Sequence, residues 1–351
     1  MLRTIFLFLS PFKHVFMTNL IPMKRILPIL VFTLLIIQAG HSQSIEQSGK
    51  PITEIFTDFH VNLNDTSGHT GFSLNRAYIG YQFMPGGKFT GKIVLNVGSP
   101  EDLAPGSEPR RYSFFRDASL SWSDGKLSIT GGITSTKMNV FQQTFWGKRY
   151  IANTYQSLNG YGTVADLGVV VEYKFSDIVT AEYTLMNGEG YYDIQLDNSL
   201  KNSLGMTITP NNNIAIRLYT DIIRDNGIWQ QLVIAFVGFK NDRFNIGGEM
   251  SYKSNTDLIK GHHLYGVSST GGVNLTKKAE FFIRYDYAAS VRMPGDVLPW
   301  NNLNDGSLLI GGVQFTLSPN VKIAFDYQGE YPYEVVSGKK GMLYINALFK
   351  F

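Results

Sequence analysis

The chain has 351 residues, of which 13% are aromatic and only 17% charged, against roughly 25% charged residues in a typical soluble domain. Its mean hydropathy is close to zero, which excludes a helical membrane protein, and its net charge of +3 is too small to indicate nucleic-acid binding. Cysteine is absent, which excludes disulfides and thiolate metal sites, and no pattern in the sequence indicates a cofactor.

The segment 1–42 has the pattern of a targeting sequence. A basic pair after Met23 is followed by an apolar run over 26–37 and then by small residues suited to cleavage near Ser42. The run is shorter than the roughly 20 residues that a membrane-spanning helix needs. The sequence therefore predicts a secretory signal peptide that starts at Met23, and a mature chain over 43–351.

The mature chain alternates between apolar and polar residues with a period of two. The alternation is clear in Ser73–Phe83, in 280–287 and in 321–328, where apolar residues hold one parity and most charges the other. A period of two is the geometry of a β-strand, because successive side chains point to opposite faces. The sequence therefore predicts an all-β protein with many strands.

Tight turns rich in Gly, Asn, Asp and Pro alternate with longer connections along the whole mature chain. The longer connections are predicted at 63–72, 99–111, 135–160, 187–198, 224–227, 254–262, 291–305 and 331–340. This alternation predicts a transmembrane antiparallel β-barrel with short periplasmic turns and longer external loops. Counting gives 16 strands, with 14 or 18 also compatible. A soluble sandwich or propeller has strands of similar spacing but lacks this alternation.

The last strand is predicted over 341–351. Leu343, Ile345, Ala347 and Phe349 share one face, and the chain ends on the same face at Phe351. A terminal strand that ends in Phe resembles the assembly signal of bacterial outer-membrane barrels. This resemblance implies that Phe351 is read by the barrel assembly machinery and that the protein is embedded in outer-membrane lipid.

Charges on the predicted strands avoid the apolar face, as expected because Lys or Arg facing lipid costs about 2–4 kcal/mol at the midplane. The residues assigned to the lumen are Arg76, Lys92, Arg217, Lys253, Arg284, Lys322, Glu172, Glu182, Asp221, Glu249, Glu280, Asp286 and Asp326. Arg116 is an exception, because it shares parity with Leu120 and Trp122. It lies either near the membrane edge or at a β-bulge, and the sequence leaves both open.

The connection 135–160 is the longest, and we interpret it as a structureless loop that folds into the barrel. It holds Lys137, Lys148 and Arg149 with no acidic residue, together with aromatic side chains that are unusual in a loop facing water. A 16-stranded barrel leaves an aqueous channel, which such a loop would narrow. We expect the aromatic residues to pack on the wall and the three basic residues to form the pore constriction, which would favour anions. The mixed lumen is equally compatible with a weakly selective field of facing cations and anions.

Three segments, Asn75–Phe83, Trp146–Tyr150 and Tyr155–Gly162, resemble the porins of Bacteroidetes-type outer membranes. That group is similar to the phosphate-selective porin O and P family. The resemblance implies passive diffusion of small hydrophilic solutes, with anions preferred and phosphate among the candidates, and assembly as a homotrimer.

Other functions remain open on the sequence alone. A barrel enzyme would need a nucleophile beside a base, and His262 and His263 lie near Ser268 and Ser269 in the chain, with Asp257 close by. A channel specific for a sugar or a peptide would be indicated by a lumen-facing row of the aromatic residues Tyr78, Phe282 and Tyr344. A plugged structural or adhesive barrel is the third alternative. His60 and His69 lie apart from clustered carboxylates, so no metal site is predicted.

Overall fold

The computed structural model describes residues 48–64, 70–98, 111–333 and 340–351. The predicted signal peptide lies outside these residues. Within them, sixteen antiparallel strands form one closed barrel, so the predicted fold and strand number are confirmed. No helix in this part of the chain is both long enough and apolar enough to span a membrane.

The strands follow one another around the barrel in chain order. They are β1 (Ser48–Asn62), β2 (Gly71–Gly86), β3 (Phe89–Gly98), β4 (Ser113–Asp124), β5 (Leu127–Ser135), β6 (Ala165–Lys174), β7 (Val179–Met186), β8 (Lys201–Ile208), β9 (Ile214–Asp225), β10 (Ile228–Lys240), β11 (Phe244–Ser254), β12 (Leu264–Asn274), β13 (Ala279–Ser290), β14 (Gly306–Ser318), β15 (Val321–Pro332) and β16 (Lys340–Lys350). The pairing of β1 with β16 closes the barrel, with Phe56 opposite Leu348 and Asp58 opposite Asn346. Closure leaves no sheet edge to be satisfied in lipid.

The two-residue period separates an apolar outer face from a polar inner face. On β13, Phe281 and Ile283 are exposed by 42% and 45%, whereas Phe282 and Arg284, which alternate with them, are exposed by 0% and 2%. The same alternation of exposed apolar residues is clear on β10 and β11. An outer band of this kind is suited to contact with hydrocarbon.

Short connections of two to five residues join the strands at one end of the barrel, and longer connections join them at the other. The predicted longer connection at 224–227 is the exception, because β9 and β10 are joined by the two residues Asn226 and Gly227 alone. Both have positive φ, at 45° and 82°. An Asn-Gly pair with positive φ at both positions is the preferred two-residue hairpin turn, so the strict alternation of loop lengths is wrong at this one point.

Strand β4 contains a β-bulge that settles the position of Arg116. Val94 of β3 lies opposite Asp117, and the next residue, Leu95, lies opposite Phe115, so that Arg116 is the extra residue. The register therefore shifts by one at Arg116. Of the two alternatives left open by the sequence, the bulge is the one observed.

The sequence suggested a structureless connection between β5 and β6. This was wrong, because the connection contains two short helices. They are α1 (Val140–Trp146) and α2 (Tyr155–Leu158). Gly147 ends α1 in the left-handed conformation with φ of 69°, which glycine adopts without strain. We call the connection 136–164 the inner segment, because its side chains supply much of the apolar core inside the barrel.

Candidate functional site

The inner segment is held to the inner face of β11, β13 and β14 by a buried polar network. The Lys148 ammonium lies 2.7 Å from Glu280 Oε1 and is 3% exposed. Asn245 and Gln314 also donate to the Glu280 carboxylate, at 2.9 and 3.0 Å, and the Tyr150 hydroxyl donates to Gln314 Oε1 at 2.9 Å. Burial lowers the pKa of Lys148, and the adjacent carboxylate opposes that change by favouring the charged form.

A second contact joins the end of α1 to β13. The guanidinium of Arg284 lies 4.7 Å from the ring centroid of Trp146, which is 5% exposed. The same guanidinium donates to the Asn153 carbonyl at 2.6 Å and to both carboxylate oxygens of Asp286. Cation–π stacking and a bidentate ion pair thus fix one arginine between the wall and the inner segment.

Aromatic packing seats the outer side of α1 on β10. The rings of Phe141 and Phe145 lie 5.4 and 5.0 Å from the ring of Phe236, in edge-to-face geometry. Gly238 and Gly247 leave the space for Phe145, since a Cβ at either position would come within 2.8 Å of that ring. The sequence predicted that aromatic residues of this segment pack on the barrel wall, and the contact with Phe236 is of that kind.

Helix α2 is anchored to β11. The Gln156 amide donates to Glu249 Oε2 at 2.6 Å and to the Ser251 hydroxyl at 3.2 Å. The Lys253 ammonium donates to the Gly160 carbonyl at 3.0 Å. The inner segment therefore contacts strands from β10 to β14, and it also reaches β9 through Arg217, β15 through Gln328 and β1 through Phe56.

A cavity of about 280 Å³ lies on the other side of the inner segment, against β2 to β6. We call this region the open side. Half of its lining residues carry short hydroxyl side chains, namely Thr90, Ser119, Ser121, Thr130, Thr134 and Ser135, and Val140 and Val170 contribute apolar surface. Two ion pairs also border it, Lys92 with Asp117 at 3.0 Å and Lys137 with Glu172 at 2.8 Å. Hydroxyl groups both donate and accept hydrogen bonds, so this wall interacts with water and polar solutes of either sign.

The residues predicted to line the lumen divide into two groups. Those that are buried are Arg76, Lys148, Glu182, Arg217, Asp221, Glu249, Lys253, Arg284, Asp286 and Asp326. Those that are only partly buried are Lys92, Lys137, Arg149, Glu172, Glu280 and Lys322. Lys148 therefore does not present its charge to open space, because it lies between the inner segment and the wall. The guanidinium of Arg149 lies 5.9 Å from the ring of Phe56 on β1, far from the pair formed by Lys137 and Glu172 on β6.

Sequence reasoning missed the hydroxyl lining and the role of Glu280. The lining had a signal, since Ser119 and Ser121 on β4 are two residues apart and Thr130 and Thr134 on β5 are four apart, which places each pair on one face of its strand. Glu280 had no local signal, because its partner Lys148 is 132 residues away in the chain.

The residues considered for the rival functions are not assembled into a site. His262 stacks on Trp300 with ring centroids 4.2 Å apart, whereas Ser268 lies on the inner wall and donates to Asp286 at 2.6 Å. Of the aromatic residues considered for a sugar channel, Phe282 is fully buried beneath the Lys148 ammonium.

No protein-family model matches the sequence, and no curated protein is significantly similar to it. Solved structures do match the fold. An anion-selective porin from Comamonas acidovorans gives a TM-score of 0.62 at 9% identity, covering 87% of this chain and 100% of that one. The outer membrane channel DcaP of Acinetobacter baumannii gives 0.62 at 12% identity, covering 89% and 100%. OmpT of Vibrio cholerae, an outer membrane protein folded in vitro and solved in a trimer form, gives 0.57 at 12% identity, covering 87% and 99%. The protein therefore has the fold of outer-membrane porins.

Proposed function

We propose that this protein is a porin of the bacterial outer membrane, through which small hydrophilic solutes diffuse passively along the open side of the barrel. The observation that carries this proposal is the hydroxyl-lined cavity between the inner segment and β2 to β6. The inner segment fills the opposite side of the lumen and leaves this path. A sixteen-stranded barrel has room for both a folded segment and a water-filled passage.

The predicted signal peptide and the apolar outer face support the proposed location. A secreted chain that closes into such a barrel is compatible with the outer membrane, where no sheet edge and no spanning helix is required. Phe351 is exposed by 72% and its backbone N–H donates to the Thr53 carbonyl at 3.0 Å, beside the closure of β1 with β16. We retain Phe351 as the proposed signal for the barrel assembly machinery.

We further propose a preference for anions, with inorganic phosphate among the solutes carried. Lys137 and Arg149 are the proposed constriction charges, and Lys148 contributes by anchoring the segment that carries them. The preference is expected to be weak, since Lys137 and Lys92 each lie within 3.0 Å of a carboxylate. The fold neighbour from Comamonas acidovorans is described as anion-selective, and OmpT of Vibrio cholerae was solved as a trimer, which supports anion preference and homotrimeric assembly as proposals.

The test is the conductance of the purified, refolded protein in a planar lipid bilayer, with the path located by a single cysteine. Because the chain has no native cysteine, Ser121→Cys places one reactive thiol on the open side. We expect stepwise conductance from the wild type. A bulky thiol reagent should reduce the conductance of Ser121→Cys by roughly half or more, because it obstructs the lumen.

Ser269→Cys is the matched control, since Ser269 is exposed on the outer face of β12. Its conductance should be unchanged by the same reagent. Absence of stepwise conductance from the wild-type protein would overturn the porin proposal. Conductance that is insensitive to modification at position 121 would place the path elsewhere.

A further inference from the structure

The bulge in β4 turns an arginine away from lipid. With unbroken alternation, Arg116 would share the outer face with Leu120, which is 49% exposed. A lipid-facing arginine costs about 2–4 kcal/mol at the midplane. In the bulged strand the guanidinium instead donates to the Ser135 hydroxyl at 3.0 Å and to the Val164 carbonyl at 3.2 Å. Ser135 itself lines the open side, so the bulge brings this charge to the edge of the cavity.

Arg116 and Lys92 share one carboxylate there. Lys92 Nζ lies 3.0 Å from Asp117 Oδ2, and Arg116 Nη1 lies 3.8 Å from the same oxygen. The side chains of Lys92, Arg116 and Asp117 are exposed by 38%, 14% and 8%, so the cations are the more accessible members. Two positive charges and one negative charge give this cluster a net charge of +1.

The other ion pair that borders the open side is balanced. Lys137 and Glu172 carry one charge of each sign, and their side chains are exposed by 27% and 41%. Among the charged residues that line this cavity or pair with a residue that lines it, the excess positive charge therefore comes from the cluster on β3 and β4. Without Arg116, Lys92 and Asp117 would neutralise each other.

We propose that Arg116, turned inward by the β4 bulge, contributes to the anion preference of the open side. Arg116 acts together with Lys92 and Asp117, and their net charge adds to the contribution proposed for Lys137 and Arg149. This inference rests on the proposed porin function. It places a determinant of selectivity on the barrel wall, at a residue that the two-residue alternation of the sequence alone would assign to the lipid-facing side.

The experiment is a charge series measured by reversal potential in a planar bilayer under a KCl gradient. Arg116→Gln sets the cluster to a net charge of 0, and Asp117→Asn sets it to +2. Each step of one charge should change the chloride-to-potassium permeability ratio by about three- to tenfold, since an ion about 5 Å away feels one extra charge that salt partly screens. The ratio should fall in Arg116→Gln and rise in Asp117→Asn.

The double variant Arg116→Gln/Asp117→Asn restores a net charge of +1 and should return the ratio to the wild-type value. Arg224→Gln is the matched control, because Arg224 is exposed at the end of β9 and its guanidinium lies 4.9 Å from the Trp229 ring. A purely structural role would change the ratio in the same direction in both single variants. That result would overturn the inference, and so would an unchanged permeability ratio in variants that conduct normally. If the wild-type protein showed no conductance, the porin proposal itself would be overturned.

Discussion

The two sides of the barrel interior are built from different kinds of side chain. On the open side, β2 to β6 present short hydroxyl residues such as Ser119 and Thr130 to a cavity of about 280 Å³. On the side from β10 to β14, which we call the filled side, the wall presents Phe236, Phe282 and Arg284, and the inner segment covers them. The same strand geometry thus surrounds a cavity on one side and a packed core on the other.

This difference indicates how the interior of a wide barrel is filled on one side only. A sixteen-stranded barrel is too wide for its own wall residues to fill, so the filling must come from a connection. Apolar contacts supply the attraction, whereas the buried pair of Lys148 and Glu280 and the stacked Arg284 fix where the segment lies. On the open side many of the wall residues are short hydroxyl side chains, and the cavity lies against them.

Removing the inner segment should abolish the difference between the two sides. Of all the variants proposed, it should change the function of the protein most. A variant in which residues 137–162 are replaced by a short Gly-Ser linker retains the pairing of Ser135 with Ala165. We expect its single-channel conductance to rise about two- to threefold, because the filled side becomes part of the aqueous lumen. An unchanged conductance in a folded barrel would show that the segment does not limit the path.

Breaking the ion pair between Lys148 and Glu280, which anchors the inner segment, should have the next largest effect, a loss of stability. Lys148→Met leaves the largely buried Glu280 carboxylate without the ammonium that pairs with it and should lower the free energy of unfolding by about 3–5 kcal/mol. Adding Glu280→Gln removes the uncompensated charge and keeps one oxygen that accepts a hydrogen bond from either Asn245 or Gln314, which donate to different carboxylate oxygens, so part of the loss should be recovered. Urea-induced unfolding of the refolded protein measures both.

Lys137 provides the control for that measurement within the same segment. Its pair with Glu172 is partly exposed, at 27% and 41%, so Lys137→Met should cost less than about 1 kcal/mol. Equal losses in Lys137→Met and Lys148→Met would mean that the position of the pair in the filled side does not matter. The contrast between the two sides would then have no energetic basis.

The sequence predicted the barrel because its period of two and its turn residues are local signals. The number of strands followed from them, and the aromatic content of 135–160 indicated that this connection packs on something. The partners did not follow, because the contact of Lys148 with Glu280 and that of Phe145 with Phe236 join residues far apart in the chain. The bulge at Arg116 was also undecided, since a one-residue register shift depends on both paired strands.

A tight fit on the filled side should give a smaller loss of stability than breaking the Lys148 anchor, and it tests whether the packing is specific. Gly238→Ala places a Cβ 2.5 Å from the Phe145 ring and 2.8 Å from the Phe236 ring. One of the rings must move, and we expect a loss of about 1–3 kcal/mol in the free energy of unfolding, as for other overpacked cores. Gly248→Ala on the neighbouring strand is the control, because a Cβ there meets no atom within 4 Å. A loss of stability in Gly238→Ala but not in Gly248→Ala, together with a noisier open-channel current as α1 loosens, would show that the packing of the Phe145 ring helps to hold the inner segment in place. Equal stability of the two variants would instead mean that the aromatic contacts tolerate displacement, and the position of the segment would then depend on its ion pairs alone.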